Sequence, residues 1–142
     1  AKALPGFHIF QNAEILNQHK WGASIHTDSP ETKHVWESEV LEIFTFTISI
    51  KSPTELSGLR FWMDTESWNN VSPIYYQECS PDQQNLLEKT ALYIPYKTGC
   101  IYEHTGDIYH QIATEGNFRI GEMRITLQGH LVELEDAIVV YV

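Results

Sequence analysis

Basic residues are scarce in this sequence. Nine lysines and arginines stand against nineteen aspartates and glutamates, giving a net charge of −10 over 142 residues. Nucleic acids and anionic membranes demand clustered Lys and Arg, so neither is expected as a partner. Long apolar runs are missing too. The longest, residues 137–142, has six residues, whereas a membrane-spanning helix takes roughly 20. Nothing resembling a signal peptide opens the chain. Cysteine is limited to Cys79 and Cys100, whose separation fits neither a zinc spacing nor a disulfide framework. The sequon Asn70-Val71-Ser72 has no secretory context and is read as chance. Repeats, linkers and low-complexity tracts are absent. One cytoplasmic domain over residues 1–142 is the expectation.

What is present is apolar and extended. Hydrophobic residues make up 42% and aromatics 12%, enough for a packed core and too much for a disordered chain. Strands are expected over residues 7–11, 21–28, 42–50, 59–64, 90–96, 100–104, 107–113, 118–134 with a break at Gly121, and 137–142. The 42–50 segment alternates most clearly. Phe44, Phe46, Ile48 and Ile50 share one face, and Ile43, Thr45, Thr47 and Ser49 the other. Helix signals are few: residues 12–20 read as a loop or helical turn, and 83–88 as a helical turn. Residues 29–39 read as a long polar loop that must cover Trp36. The excursion 65–84 holds Pro73, Pro81 and a possible short strand at 74–76; a loop of that length is more often functional than idle. Turn-punctuated short strands indicate an all-β sandwich, jelly roll or barrel.

Against this background a few polar residues stand out. In Ile25-His26-Thr27-Asp28 an imidazole and a carboxylate two residues apart point the same way along a strand. Seven His and five Asp in this length give about one such pair by chance in four chains. His110 falls between Ile108 and Ile112 on one face of its strand and so projects inward. A core histidine bonded to a neighbour is the commoner reading of any lone His. Together with His26 and Asp28 it would complete a 2-His-1-carboxylate set, the donor group of non-haem Fe(II). Arg124 and Thr126 also share a strand face, and a guanidinium fork with a hydroxyl can hold a carboxylate. The plain alternative pairs Arg124 with Glu122 or Glu133 at the surface. Arg119 competes for the anchor role, although Gly121 two residues on offers no hydroxyl.

In this order the elements resemble the Fe(II)- and 2-oxoglutarate-dependent dioxygenases of the double-stranded β-helix (jelly-roll) fold, over nearly the whole chain. His-x-Asp ends an early strand, a distant His follows 84 residues later, and Arg-x-Thr lies on the next strand. Ser57-Gly58 before Leu59-Arg60-Phe61-Trp62 looks like the family's glycine turn into a strand. Residues 94–99 look like its Pro-x-x-x-Gly turn. The resemblance implies an all-β, cupin-like domain with few or no helices. It implies Fe(II) on His26, Asp28 and His110, with 2-oxoglutarate held by Arg124 and Thr126. It further implies O2-driven decarboxylation to succinate coupled to C–H oxidation of a small-molecule or side-chain substrate. Asp28 favours hydroxylation, because halogenating relatives lack that carboxylate. Two features depart from the pattern. Arg124 lies 14 residues after His110, whereas Arg119 at 9 fits the shorter family spacing. The helices that usually support this fold before its first strand are not in the sequence, so a fragment, or a partner covering that face, is expected.

The remaining histidines and aromatics receive quieter readings. His104 is expected in a structural or surface role, His34 on a loop, and His130 on the Arg124 face but away from the metal. Trp62, Trp68, Tyr75 and Tyr76 read as packing residues, with the 62–76 region as a candidate for substrate selection. Two rival functions remain: a cupin-type metal protein without 2-oxoglutarate, and a non-enzymatic jelly-roll binding module.

Overall fold

The computed structural model describes residues 6–11, 21, 23–28, 38–52, 57–68, 71–114 and 121–141. Outside them lie the 12–20 segment, His34, Trp36, the turn at 115–117, Asn70 of the sequon, and Arg119. Among the described residues eight strands alternate with turns: β1 Phe7–Gln11, β2 Val40–Lys51, β3 Ser57–Trp62, β4 Leu92–Pro95, β5 Ile101–Thr105, β6 Tyr109–Thr114, β7 Met123–Leu134 and β8 Ile138–Tyr141. A single α-helix among the described residues, α1 Pro81–Thr90, precedes β4.

The strands form two antiparallel sheets. The larger runs β1-β7-β2-β5, with β8 also paired to β7; the smaller runs β4-β3-β6. Single bridges, Ile25 to Ile74 and His26 to His110, extend the smaller sheet beyond β6. Following the chain, β1 lies in the larger sheet, residues 25–26 in the smaller, β2 in the larger and β3 in the smaller. The return path through β4, β5, β6 and β7 alternates in the same way. This winding is the double-stranded β-helix, or jelly roll, and it matches the all-β expectation.

Several local expectations change. Residues 21–28 do not form a continuous strand, because only Ile25 and His26 find backbone partners. The two short strands expected either side of Lys97-Thr98-Gly99 are present, shorter at Leu92–Pro95 and Ile101–Thr105; β4 joins β3 and β5 joins β2, so this turn crosses between sheets. The helix is longer than its apolar pattern suggested. Ser80 accepts from the Gln83 backbone N–H while Gln83 bonds back to Ser80, and Pro81 takes the first position. Gly121, at φ +84°, stands before β7 in the left-handed region that glycine tolerates.

The two faces of β2 divide their roles against simple hydrophobicity. Thr45, Thr47 and Ser49 are buried, whereas Phe44, Phe46 and Ile48 are half-buried and Ile50 is exposed. Opposed residues of an antiparallel pair point the same way. Register therefore continues the buried face through His104 and Tyr102 on β5, and through His130, Gln128 and Thr126 on β7. The wall between the sheets is polar on this side. The smaller sheet supplies Leu59, Phe61, Ile112 and His110 to the same space.

A separate apolar core lies behind the smaller sheet. Trp62 and Tyr109, opposite each other in register, pack there with Trp21, Ile25 and Leu87 of α1. The Trp62 Nε1–H donates to the Leu87 carbonyl at 3.0 Å, and Arg60 stacks over Trp21 at 4.1 Å. Trp68 and Tyr76 cover the cluster, so these aromatics of the 62–76 region pack rather than line the inter-sheet space.

Gly58 sits inside β3 opposite Pro95, not in a turn before the strand. A Cβ there would stand 2.1 Å from the Ile94 carbonyl oxygen. Gly58→Ala is expected to destabilise the fold by about 3 kcal/mol through this overpacking, read as a lowered urea midpoint.

Candidate metal centre

One pair of backbone hydrogen bonds assembles this centre. The His26 N–H donates to the His110 carbonyl at 2.9 Å, and the His110 N–H returns to His26 at 2.8 Å. The two rings then face each other with centroids 4.5 Å apart. Asp28, two residues beyond the bridge, brings Oδ2 to 3.4 Å from His110 Nε2 and Oδ1 to 3.8 Å from His26 Nε2. Ligand atoms of all three lie within 4.8 Å of one another.

The tautomers follow from the other ring nitrogens. Nδ1 of His110 lies 3.0 Å from the Ile108 carbonyl, and Nδ1 of His26 lies 3.2 Å from the Ser24 carbonyl. Carbonyl oxygens only accept, so both Nδ1 atoms carry a proton and both Nε2 atoms turn toward Asp28. Two imidazole Nε2 atoms and a carboxylate thus converge, the donor types a cation takes. Two imidazoles and one carboxylate form the facial donor set suited to Fe(II), with positions left open.

Burial and charge set the required protonation. Burial lowers His110 to about 4, against the pull of Asp28 and with the help of nearby His104. Burial pushes the Asp28 carboxyl up, but His110, the Thr45 hydroxyl and the further histidines outweigh it and hold it below the usual carboxylate value. At neutral pH the imidazole is neutral and the carboxylate ionised, as metal ligation needs.

Four further residues of the inner face crowd this group. The Thr45 hydroxyl donates to Asp28 Oδ2 at 2.6 Å and lies 3.2 Å from His130 Nδ1. The His104 ring stacks 4.5 Å from that of His110, with Nδ1 on the Thr105 carbonyl. His130 is therefore beside the centre, contrary to its expected remoteness, because the β2–β7 register sets it opposite Thr45. His104 likewise adjoins the centre. On β1, His8 is paired with Thr126; burial and Arg124 lower its pKa while Asp28 raises it, which places it in the field of both. Sequence reasoning left out Thr45 and His8. Their only signal was even spacing on strands whose inward face was not known.

Arg124 and Thr126 lie on β7, both buried, with Thr126 opposite Ser49 and His8. The Arg124 guanidinium is 1% exposed and sits over Tyr96 at 4.7 Å and Phe10 at 5.5 Å. Burial lowers its pKa, opposed by Tyr96 and Tyr93. Its Nε and Nη1 have no hydrogen-bond partner. Orphaned donors on a buried cation are costly, and an anion placed there would satisfy them. The side chain is buried, not at the surface where a pairing with Glu122 or Glu133 was the alternative. Arg119 lies outside the described residues.

Comparison with known proteins adds the architecture. The structure matches that of an N-substituted L-amino acid dioxygenase from Burkholderia ambifaria AMMD, with TM-score 0.59 and 14% identity over 98% of this chain. The complex of that dioxygenase with alpha-KG matches with TM-score 0.56 and 12% identity. The fold is shared with a dioxygenase. This chain spans 52% of the neighbour's length. No family model matches the sequence, and no curated protein does. No helix among the described residues is long and apolar enough to cross a membrane.

The depressed His110 pKa has a measurable sign. Between about 4 and 6.5 the unfolded chain takes up a proton that folded His110 refuses. Stability of the metal-free protein is thus expected to fall with acidification through this window, by about 1.4 kcal/mol per pH unit for one such proton. Urea midpoints at pH 7.5 and 5.0 check it, and His110→Gln should flatten the dependence.

Proposed function

We propose that this protein is an Fe(II)- and 2-oxoglutarate-dependent dioxygenase that hydroxylates a small-molecule or side-chain substrate. The convergence of the His26 and His110 Nε2 atoms on the Asp28 carboxylate carries the reading. The buried, orphaned Arg124 supports the co-substrate. In this reading His26, Asp28 and His110 hold the metal, and Arg124 with Thr126 receives the distal carboxylate of 2-oxoglutarate. Loaded with Fe(II), 2-oxoglutarate and O2, such a centre couples decarboxylation to succinate with oxidation of a substrate C–H bond.

The chain's own part is placement. Carbonyls of Ser24 and Ile108 orient the two imidazoles so that Nε2 faces the ion. Arg124 offers the unpaired Nε and Nη1 donors, and Thr126 adds a hydroxyl from the same strand face. Beside His104 opens a cavity of about 580 Å³ walled by Leu59, Phe61, Ile94, Ile108 and Tyr102. Such a wall limits water near the reacting bond and suits an apolar substrate group. The Burkholderia neighbour, 14% identical, is an N-substituted L-amino acid dioxygenase.

Anaerobic addition of Fe(II) and 2-oxoglutarate should produce the visible charge-transfer band of the chelate. Metal uptake without that band would favour a cupin-type metal protein, and no uptake a binding module. Asp28→Ala is expected to abolish iron-dependent succinate formation; full turnover would remove the triad assignment. Arg124→Ala should raise the 2-oxoglutarate KM about 10- to 100-fold, the scale of a lost charge-assisted hydrogen bond. If Arg119→Ala does so instead, the anchor is Arg119.

A further inference from the structure

The inner face of the larger sheet carries a transverse row that the ligand set does not use. Across β5, β2 and β7, the register aligns His104, Thr45 and His130. Thr45 is fully buried at the middle of this row. Its hydroxyl lies 2.6 Å from Asp28 Oδ2 and 3.2 Å from His130 Nδ1. A hydroxyl has one proton to give, and the ionised carboxylate can only accept. The Thr45 proton therefore goes to Asp28, and His130 must donate its Nδ1–H to Thr45. The result is a directed chain, His130 Nδ1–H to Thr45 Oγ1–H to Asp28 Oδ2.

We propose that Thr45, oriented by His130, is a positioning residue that fixes the Asp28 carboxylate within the metal-ligand set. The inference rests on the metal-centre reading above. A free carboxylate turns about its own axis. The short hydrogen bond from a buried hydroxyl to Oδ2, which itself lies 3.4 Å from His110 Nε2, fixes the carboxylate plane beside the two imidazoles. The same bond withdraws charge from the carboxylate, and the imidazole behind it fixes the hydroxyl rotor. Partners of this kind behind a ligand typically account for 10- to 100-fold in metal affinity.

The test is metal binding, read without turnover. Wild type, Thr45→Val, Thr45→Ser and His130→Phe are titrated anaerobically with Co(II) and Mn(II), recording affinity and the Co(II) d–d bands, whose intensity falls as coordination number rises. Thr45→Val keeps the shape and deletes the hydroxyl; it should bind about 10-fold more weakly or worse, with altered d–d bands from an unfixed Asp28. Thr45→Ser should restore both. His130→Phe leaves the hydroxyl but frees its rotor, and should shift the bands part-way; it also serves as the test if Thr45→Val does not fold. Wild-type affinity and spectrum in both Thr45→Val and His130→Phe would overturn the proposal and leave the metal centre standing. A wild-type protein that takes up neither ion would overturn both.

Discussion

Two backbone hydrogen bonds between His26 and His110 set the geometry on which everything else in the centre depends. They join residues 84 apart in sequence, and they do so with a ladder one residue long on the His26 side. So short a bridge would not persist alone. It is held because Ile25, pointing the other way, is buried in the tryptophan cluster and bonds to Ile74. One residue anchors the segment in the apolar core while its neighbour aims an imidazole into the space between the sheets. The alternation of a strand converts hydrophobic burial on one side into ligand placement on the other.

Charge follows the same division. Arg124, Asp28 and the histidines are enclosed by walls that lower the local dielectric, so each is sensitive to its neighbours. His110 is lowered because burial outweighs Asp28, whereas Asp28 is lowered because the histidines and the Thr45 hydroxyl outweigh burial. Each direction is the one that cation ligation needs.

Much of this was legible in the sequence, and the part that was not has a physical cause. Period-2 spacing located β2 and put Thr45, Thr47 and Ser49 on one face, and it put His110 between Ile108 and Ile112. The direction of those faces was not legible. Hydrophobicity favours turning Phe44 and Phe46 inward, but the inter-sheet space is lined with polar groups, so the threonines face it instead. Pairing was equally hidden. His130 shared a face with Arg124 by parity, yet only the antiparallel register reveals that it stands opposite Thr45. Only residues 83–88 of the helix at Pro81–Thr90 were legible as a helical turn; the Ser80–Gln83 capping exchange that starts it is a local signal left unread, and its apolar pattern was too weak to show its length. Arg119 lies outside the described residues, so the choice of anchor rests on the orphaned donors of Arg124.

The tryptophan cluster behind the smaller sheet has a consequence for how such a molecule can change. Trp21, Trp62, Tyr109 and Leu87 secure the scaffold on the far side of the strands that carry Phe61 and His110. Phe61 and Ile108, which face the cavity, lie outside this cluster. Replacements there can reshape the cavity while the cluster goes on holding the scaffold.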